Sequence, residues 1–294
     1  MASKKELDVN LKNYNYAQSN DLKIAYRIFG EGEPLIVING GPGRSSDTFV
    51  DLAKILSEKR KVILFDQRGT GKSKLELLNN KTITLNLMVE DLESLRKHMG
   101  LNKISILGHS FGGMYAMAYA TKYPDKVRHL ILSASGSIDL KQMNQATINI
   151  KSKLNKEELK EYLFWTSEEQ RNKNPIKAKL EVLRITAHLY VFQQKFVPEI
   201  KKSLSNLEYY DPQINQLVWE SMSKAKFDLT NSFKNFKAST LIIDGEEDFL
   251  GKEIPNEIHK SIPGSQLEIL KECSHYPWLD KPKEYFALIN TFLR

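Results

Sequence analysis

One short segment constrains this chain more than any other. Residues 108–113, with the sequence GHSFGG, stand between an apolar run at 104–107 and a segment with helical spacing at 114–123. The run predicts a strand and the second segment predicts a helix. A serine between glycines at a strand-to-helix turn is the G-x-S-x-G arrangement, in which small neighbours avoid collisions in a sharp, strained turn. We therefore predict a nucleophilic Ser110, with an ordinary glycine turn as the alternative for the motif alone.

A serine nucleophile of this kind works with an acid and a histidine, and both follow in the expected chain order. Asp248 comes just after the apolar run at 240–244, and His275 comes just after the run at 267–270. The carboxyl ends of parallel strands lie along one edge of a sheet, so these residues can meet Ser110 there. His275 would take the serine proton and Asp248 would orient the imidazole.

Other side chains compete for these two roles. The acids Asp244, Glu246 and Glu247 lie close in sequence to the favoured one. Asp248 is preferred because it falls just beyond the end of the predicted strand, whereas Asp244 lies within it. His109 is adjacent to the serine and cannot reach round to act as the base. The remaining histidines fall in helix-like or strand-like segments and are predicted to be surface or packing residues: His98, His129, His188 and His259.

A glycine-rich loop offers donors for the oxyanion that forms during acyl transfer. Residues 39–43, NGGPG, follow the apolar run at 35–38. We expect the backbone N–H groups of Gly41 and of Phe111, the residue after the serine, to form the oxyanion hole. A plain glycine-proline turn is the alternative, and the nearby serine motif favours the functional interpretation.

Together these motifs resemble the α/β-hydrolase superfamily over essentially the whole chain, and within it the proline iminopeptidase (prolyl aminopeptidase) group. Residues 40–43 are similar to that group's H-G-G-P-G loop, and residues 66–73, DQRGTGKS, to its D-Q-R-G-x-G-x-S segment. Both segments also occur in related hydrolases that are not peptidases. The resemblance implies an α/β fold with a mostly parallel twisted sheet flanked by helices, an inserted helical cap, and serine hydrolysis that needs no cofactor.

The sequence departs from this group in ways that bear on substrate choice. Asn39 replaces the usual loop histidine, and the serine motif reads G-H-S-F-G where many members have G-G-S-W-G. The group holds the substrate's free amino group with glutamates, and Phe249 stands where some members have one of these acids. Glu220, with Glu246 or Glu247, is a candidate replacement, and a solvated surface carboxylate is the alternative for each.

Strand and helix patterns alternate at both ends of the chain but not in its middle. We predict a hydrolase core from residues 1–136 and 234–294, and a helical cap at 137–233 inserted after the sixth strand. Most cap aromatics should pack the cap itself, and a minority should roof the pocket over the serine. Trp219 in the cap and Phe249 in the core are the aromatic candidates for substrate contact.

Composition and charge exclude several other classes. The single cysteine, Cys273, excludes an intrachain disulfide and is predicted to be a buried filler in a cytoplasmic protein. No metal-ligand spacing occurs. Residues 1–6 have no apolar segment and no run of 18 uncharged apolar residues occurs, so we expect neither export nor a membrane span.

The net charge of +7 comes from 43 basic and 36 acidic residues. Its basic stretches, such as 151–160, 171–179 and 201–202, are predicted to be mostly solvated helix faces rather than a nucleic-acid site. The expected partner is a small-molecule or short-peptide substrate, and the oligomeric state is left open.

A phosphate-binding loop is the rival interpretation of residues 69–73, GTGKS. That loop would need a glycine where this chain has Asp66, whose carboxylate would repel phosphate. A turn after the predicted strand at 61–65 is preferred, and pairing of Arg68 with Asp66 is expected to brace the floor of the site.

Three functions follow from these residues. The favoured one is an aminopeptidase that releases N-terminal proline or another small apolar residue. The second is a carboxylesterase or lactonase that acts on small acyl compounds. The third is a ligand receptor that has a hydrolase scaffold and slow turnover.

Overall fold

A twisted sheet forms the centre of the fold in a computed structural model, which describes residues 13–294. The predicted absence of an export segment at residues 1–6 lies outside this range. The strands are β1 (Asn15–Ser19), β2 (Leu22–Phe29), β3 (Pro34–Ile38), β4 (Lys61–Phe65), β5 (Ile104–His109), β6 (Val127–Ser133), β7 (Ser239–Gly245) and β8 (Gln266–Leu270).

The order of strands in the sheet is β1-β2-β4-β3-β5-β6-β7-β8. Neighbouring strands from β4 through β3 to β8 pair in parallel, whereas β2 is antiparallel to both β1 and β4. The mostly parallel α/β sheet that the sequence predicts is therefore confirmed. The polar edge strand β1 was not predicted, because its sequence NYAQS lacks a clear apolar alternation.

Helices cover both faces of this sheet and fill the middle of the chain. They are α1 (Val50–Leu56), α2 (Leu85–His98), α3 (Phe111–Lys122), α4 (Leu140–Lys153), α5 (Lys156–Thr166), α6 (Glu168–Lys173), α7 (Pro175–Thr186), α8 (Val197–Ser205), α9 (Pro212–Lys224), α10 (Glu253–Ser261), α11 (Pro277–Asp280) and α12 (Pro282–Phe292). Short 3₁₀ helices span Ser46–Phe49, Pro124–Lys126, Ala187–Tyr190 and Gln194–Phe196. Within residues 13–294, no helix is both long and apolar enough to cross a membrane.

Alternation along the central strands divides the core into two layers. Ile36 and Ile106 belong to one apolar cluster, whereas their chain neighbours Val37 and Leu107 belong to the other. Successive side chains of a strand point to opposite faces, so a strand that is buried on both sides must be apolar at every position. This is why the run in β3 is continuously apolar rather than alternating, and why Ser105 is the one polar residue among positions 104–107 of β5.

Helices α4 to α9 lie between β6 and β7 and form small apolar clusters of their own. The loop after β3 connects this helical segment to the sheet. The Ser45 N–H donates to the carbonyl oxygen of Tyr209 over 2.9 Å, and the Asp211 N–H donates to that of Gly43 over 2.8 Å. The same loop that carries the glycines therefore anchors the helices above it.

The expected pairing of Arg68 with Asp66 is wrong. Arg68 instead makes a two-pronged contact with Asp91 of α2, at 2.7 Å from Nε and 2.8 Å from Nη2. Asp66 accepts from the Ser46 N–H at 2.9 Å and from the Lys72 N–H at 2.7 Å. Backbone N–H groups already donate to both carboxylate oxygens of Asp66. The Arg68 guanidinium pairs with Asp91 instead and so joins the loop after β4 to α2.

Replacing Arg68 should destabilise the fold strongly. The Arg68→Met variant leaves Asp91 buried without its cation, which costs about 3–5 kcal/mol of unfolding free energy. Urea denaturation measures the loss. The control is Lys54→Met, which removes a surface contact with Asp51 at 3.6 Å and should change stability by less than about 1 kcal/mol. Equal urea midpoints for the two variants would contradict a structural role for the Arg68–Asp91 pair.

Candidate active site

Ser110 lies at the junction of β5 and α3 in a strained backbone conformation, with φ 55° and ψ −123°. A positive φ is uncommon for a residue with a side chain and costs about 1–3 kcal/mol. The flanking glycines make the turn possible. A Cβ on Gly108 would collide with the carbonyl oxygen of Gly112, and a Cβ on Gly112 would collide with that of Ile38 in β3. Helix α3 begins at Phe111, whereas the apolar spacing predicts a helix from residue 114. The difference arises because Gly112 and Gly113 are weak helix formers.

The structure brings Ser110, His275 and Asp248 together in one chain of hydrogen bonds. The Ser110 Oγ lies 2.9 Å from His275 Nε2, and His275 Nδ1 lies 2.8 Å from Asp248 Oδ2. The second carboxylate oxygen of Asp248 accepts from the Leu250 N–H at 2.8 Å. A neutral imidazole that donates from Nδ1 therefore presents its Nε2 lone pair to the serine hydroxyl.

Aromatic rings keep water away from this histidine. His275 is 2% exposed and Asp248 is 5% exposed. The ring centroids of Phe249, Tyr190 and Tyr276 lie 4.7, 5.4 and 5.9 Å from that of the imidazole. Charge interactions are stronger in such a low-dielectric setting than in water, which favours transfer of a proton within the chain of hydrogen bonds.

His109 is a second histidine at the site, and its position was not evident from the sequence. Its ring centroid lies 4.8 Å from that of His275 and 4.7 Å from that of Trp278. Burial, followed by the charge of His275, lowers the pKa of His109 well below its usual value. The neutral ring donates from Nδ1 to the carbonyl oxygen of Ser133 over 3.0 Å and so acts as packing.

The competing acids lie in different surroundings. Glu246 and Glu247 are exposed, and Glu247 pairs with Lys153 at 3.1 Å. Asp244 is buried beside the site, where one of its oxygens accepts from the Gly245 N–H at 2.8 Å. Burial, followed by the charge of Asp248, raises the pKa of Asp244 well above its usual value. Of the four acids considered, Asp248 is the one within hydrogen-bond distance of His275.

The two expected oxyanion donors, Gly41 and Phe111, line the same cavity as Ser110. Phe111 is the first residue of α3, where a backbone N–H has no partner within the helix and carries the positive end of the helix dipole. Gly41 has φ 67° and lines the same cavity as Ser110 and Phe111. Asn39 braces the loop: its Nδ2 donates to the carbonyl oxygen of Arg44 at 3.1 Å, so the amide takes on a supporting role.

A cavity of about 250 Å³ opens beside the serine, below the usual range of about 300–1,000 Å³ for ligand pockets. Trp219 and Phe249 line this cavity as expected, and the Trp219 ring centroid lies 6.0 Å from that of Phe111. Much of the remaining wall is apolar: Met114, Met143, Ala146, Ile150, Leu183 and Leu250. The cavity therefore suits a small, partly apolar substrate.

The two glutamates expected to hold a substrate amine are not brought to this cavity. Glu220 accepts a hydrogen bond from Gln216 at 2.8 Å on the exposed side of α9, and Glu246 is exposed. Neither residue lines the cavity. The structure places two basic residues there instead, Arg44 and Lys179. Residues 171–177 are exposed, in agreement with the expectation of a mostly solvated stretch, whereas Lys179 lines the cavity, since periodicity cannot show which helix face meets a cavity.

Comparison with known proteins assigns the family. The α/β hydrolase fold matches residues 33–282 of this chain. The chain belongs to the α/β hydrolase fold family. A proline iminopeptidase of Lactobacillus acidophilus is 27% identical over 290 residues, which cover 91% of this chain and 93% of the relative. One of Saccharolobus solfataricus is 29% identical over 279 residues, which cover 91% and 87%.

Solved structures of this family share the architecture. Est816, described as an N-acyl homoserine lactone degrading enzyme, has a TM-score of 0.69 at 18% identity and covers 95% of this chain and 100% of its own. The esterase EaEST from Exiguobacterium antarcticum has a TM-score of 0.70 at 19% identity and covers 95% and 99%. At this identity the similarity shows the common fold.

Asp244→Asn should change how stability depends on pH. The raised pKa means that folded Asp244 keeps a proton that the unfolded chain releases above about pH 4, so this residue lowers stability as the pH rises. Asparagine does not titrate and keeps the acceptor for the Gly245 N–H. The stability of the variant relative to the natural protein should therefore increase from pH 5 to pH 8 in thermal unfolding. Glu246→Gln is the exposed control, and parallel curves for Asp244→Asn and the natural protein would refute the expectation.

Proposed function

We propose that this protein is a serine hydrolase that works through an acyl-enzyme on Ser110. The observation that carries the proposal is the continuous hydrogen-bond chain from Ser110 through His275 to Asp248, which begins at a strained turn beside a cavity. Nucleophile, base and orienting acid each have a partner at 2.8–2.9 Å, the geometry that acyl transfer needs. A metal or organic cofactor plays no part in these steps.

Each step uses groups of this chain. His275 Nε2 takes the proton as Ser110 Oγ attacks the acyl carbon, and Asp248 stabilises the imidazolium that forms. The N–H groups of Gly41 and Phe111 hold the oxyanion. His275 then protonates the leaving group, and in the second half it activates a water molecule that releases the acid and restores Ser110.

We further propose residues 137–233 as a cap on a core of residues 1–136 and 234–294, as part of a cytoplasmic enzyme. The cap supplies Trp219 to the cavity wall, while the core supplies Phe249. These two rings would contact the apolar part of a substrate.

Two substrate classes have separate support. The proline iminopeptidase relatives support an aminopeptidase that releases N-terminal proline or a small apolar residue. The cavity supports a carboxylesterase or lactonase that acts on small acyl substrates. Among the described residues that line the cavity there is no aspartate or glutamate to hold a substrate's ammonium group. The geometry therefore favours the second class.

Ser110→Ala should abolish turnover while the fold is kept. Members of such a catalytic unit act together, so we expect a loss of about 10⁴-fold or more in kcat on whichever substrate is turned over. The melting temperature should change little, because alanine retains the Cβ in the same turn. Retention of activity in the variant would refute the assignment of the nucleophile. Ser105→Ala is a matched control, because Ser105 lies in β5 five residues before Ser110 and its hydroxyl contacts His129 rather than the site.

A comparison of proline p-nitroanilide with p-nitrophenyl butyrate separates the substrate classes. We expect Ser110-dependent cleavage of the ester, at least tenfold faster in kcat/KM than that of the anilide, because the cavity wall has no carboxylate for the prolyl amine. An N-acetylated proline anilide is the control. Faster cleavage of the free-amine anilide than of the ester, lost on acetylation, would establish the aminopeptidase. Slow binding without turnover of either would favour a receptor.

A further inference from the structure

The cavity beside Ser110 carries an unbalanced positive charge. Arg44, from the loop after β3, and Lys179, from α7, both line it together with the serine. Among the described residues of its wall there is no acidic side chain. The carboxylate of Asp248 lies behind His275 and is not part of that wall. A cavity lined by two cations and no anion is complementary to a negatively charged ligand.

Lys179 has no structural partner that explains its position. Within residues 13–294, no carboxylate oxygen lies within 4.0 Å of its ammonium nitrogen and no hydrogen bond joins that nitrogen to another group. Burial, followed by the charge of Arg44, lowers the pKa of Lys179. Lys179 is partly buried, and a partly desolvated cation without a partner costs free energy that a bound anion would offset.

Arg44 has partners, but they are neutral. Its guanidinium donates to the carbonyl oxygens of Ser203 and Leu204 at 3.3 and 3.0 Å, near the carboxyl end of α8. Its carbon atom Cζ lies 4.6 Å from the ring centroid of Tyr210. These contacts hold the Arg44 side chain in place. Its positive charge stays unpaired among the described residues, because none of their carboxylates lies within salt-bridge distance of the guanidinium.

Tyr210 adds an independent observation. This residue lines the same cavity, and its hydroxyl group is buried without a hydrogen-bond partner among the described residues. Burial raises the pKa of Tyr210, so the group remains a neutral hydroxyl that can donate. A buried polar group without a partner is rare in a native protein and calls for an explanation. A bound carboxylate would accept hydrogen bonds from the Lys179 ammonium and, after a small movement of the ring that opens the hydroxyl to the cavity, from Tyr210.

We propose that Lys179, Arg44 and Tyr210 form a subsite for a carboxylate at the far end of the substrate's acyl group. The inference rests on the proposed serine hydrolase activity and names its substrate class, which is monoesters of small dicarboxylic acids. Phe111 and Gly41, the expected oxyanion donors, belong to the wall of this same cavity, so the acyl chain enters it. Met143, Ile150 and Leu183 supply apolar surface for the methylene groups between the two carbonyl carbons.

The kinetic test compares two esters that differ in one charge. Mono-p-nitrophenyl esters of adipic and suberic acid are paired with the same esters whose free carboxyl is methylated. We expect kcat/KM for the anionic member to exceed that of the neutral member at least tenfold for one of the two lengths, after subtraction of the uncatalysed rate. High salt should reduce this ratio by screening the subsite.

Variants on one helix identify the residue responsible. Lys179→Met should lower the ratio of anionic to neutral kcat/KM at least fivefold, and Lys179→Arg should restore most of it. Lys177→Met is the matched control, since Lys177 is an exposed residue of α7 whose ammonium lies over the Trp165 ring at 5.2 Å. A ratio within twofold of unity for both lengths would overturn the subsite, as would an equal fall in Lys177→Met. The ratio cancels any general damage to the enzyme.

Binding distinguishes failure of the subsite from failure of the hydrolase. Isothermal titration of Ser110→Ala with the same esters measures affinity without turnover, and tighter binding of the anion that is lost in the Ser110→Ala, Lys179→Met double variant supports the subsite. If the natural protein cleaves neither ester, the proposed hydrolase activity fails. The titration then tests by itself whether the carboxylate subsite exists. Equal affinities for the anionic and neutral esters would then overturn the subsite.

Discussion

The close approach of α3 to the central strands is the constraint on which the rest of the site depends. Gly112 lies so near the carbonyl oxygen of Ile38 that no side chain fits between them, and Gly108 is equally crowded by the first turn of the helix. This contact accompanies the positive φ of Ser110, and it places the amide of Phe111 at the first position of a helix, where it has no partner within the helix. The positions of Ser110, the proposed nucleophile, and of the Phe111 amide, a proposed oxyanion donor, are therefore set by the same packing contact.

The loop after β3 contacts both the cavity beside Ser110 and the helical segment between β6 and β7. It contributes Gly41 to the wall beside the serine, and Asn39 braces it from below. Its backbone also bonds to residues 209 and 211, and Arg44 reaches the end of α8. A change in this loop would alter the proposed oxyanion donor Gly41, the contacts with the helices above it and the charge of the cavity together.

Much of the fold and the centre of the candidate site could be predicted from sequence because their signals are local. Apolar runs mark the buried strands β5 and β7 that precede Ser110 and Asp248, and His275 follows the shorter, partly exposed strand β8. The topology of a parallel sheet then brings the three strand ends to one edge. Their catalytic roles stay predictions, although the structure places them within hydrogen-bond distance of one another. The partner of Arg68 was missed because ion pairing across the fold leaves no local pattern.

The sequence by itself determined the α/β architecture, the chain order of Ser110, Asp248 and His275, and the glycine-rich loop beside the serine, since each depends on residue type and short-range spacing. Only the tertiary structure decided which charged groups line the cavity beside Ser110. Glu220 and Glu246 lie outside the cavity, whereas Lys179 lines it. The reason is geometric: a helical segment with charges on several faces has no sequence signal for the face that will cover a cavity, because its orientation is set by contacts with distant parts of the chain.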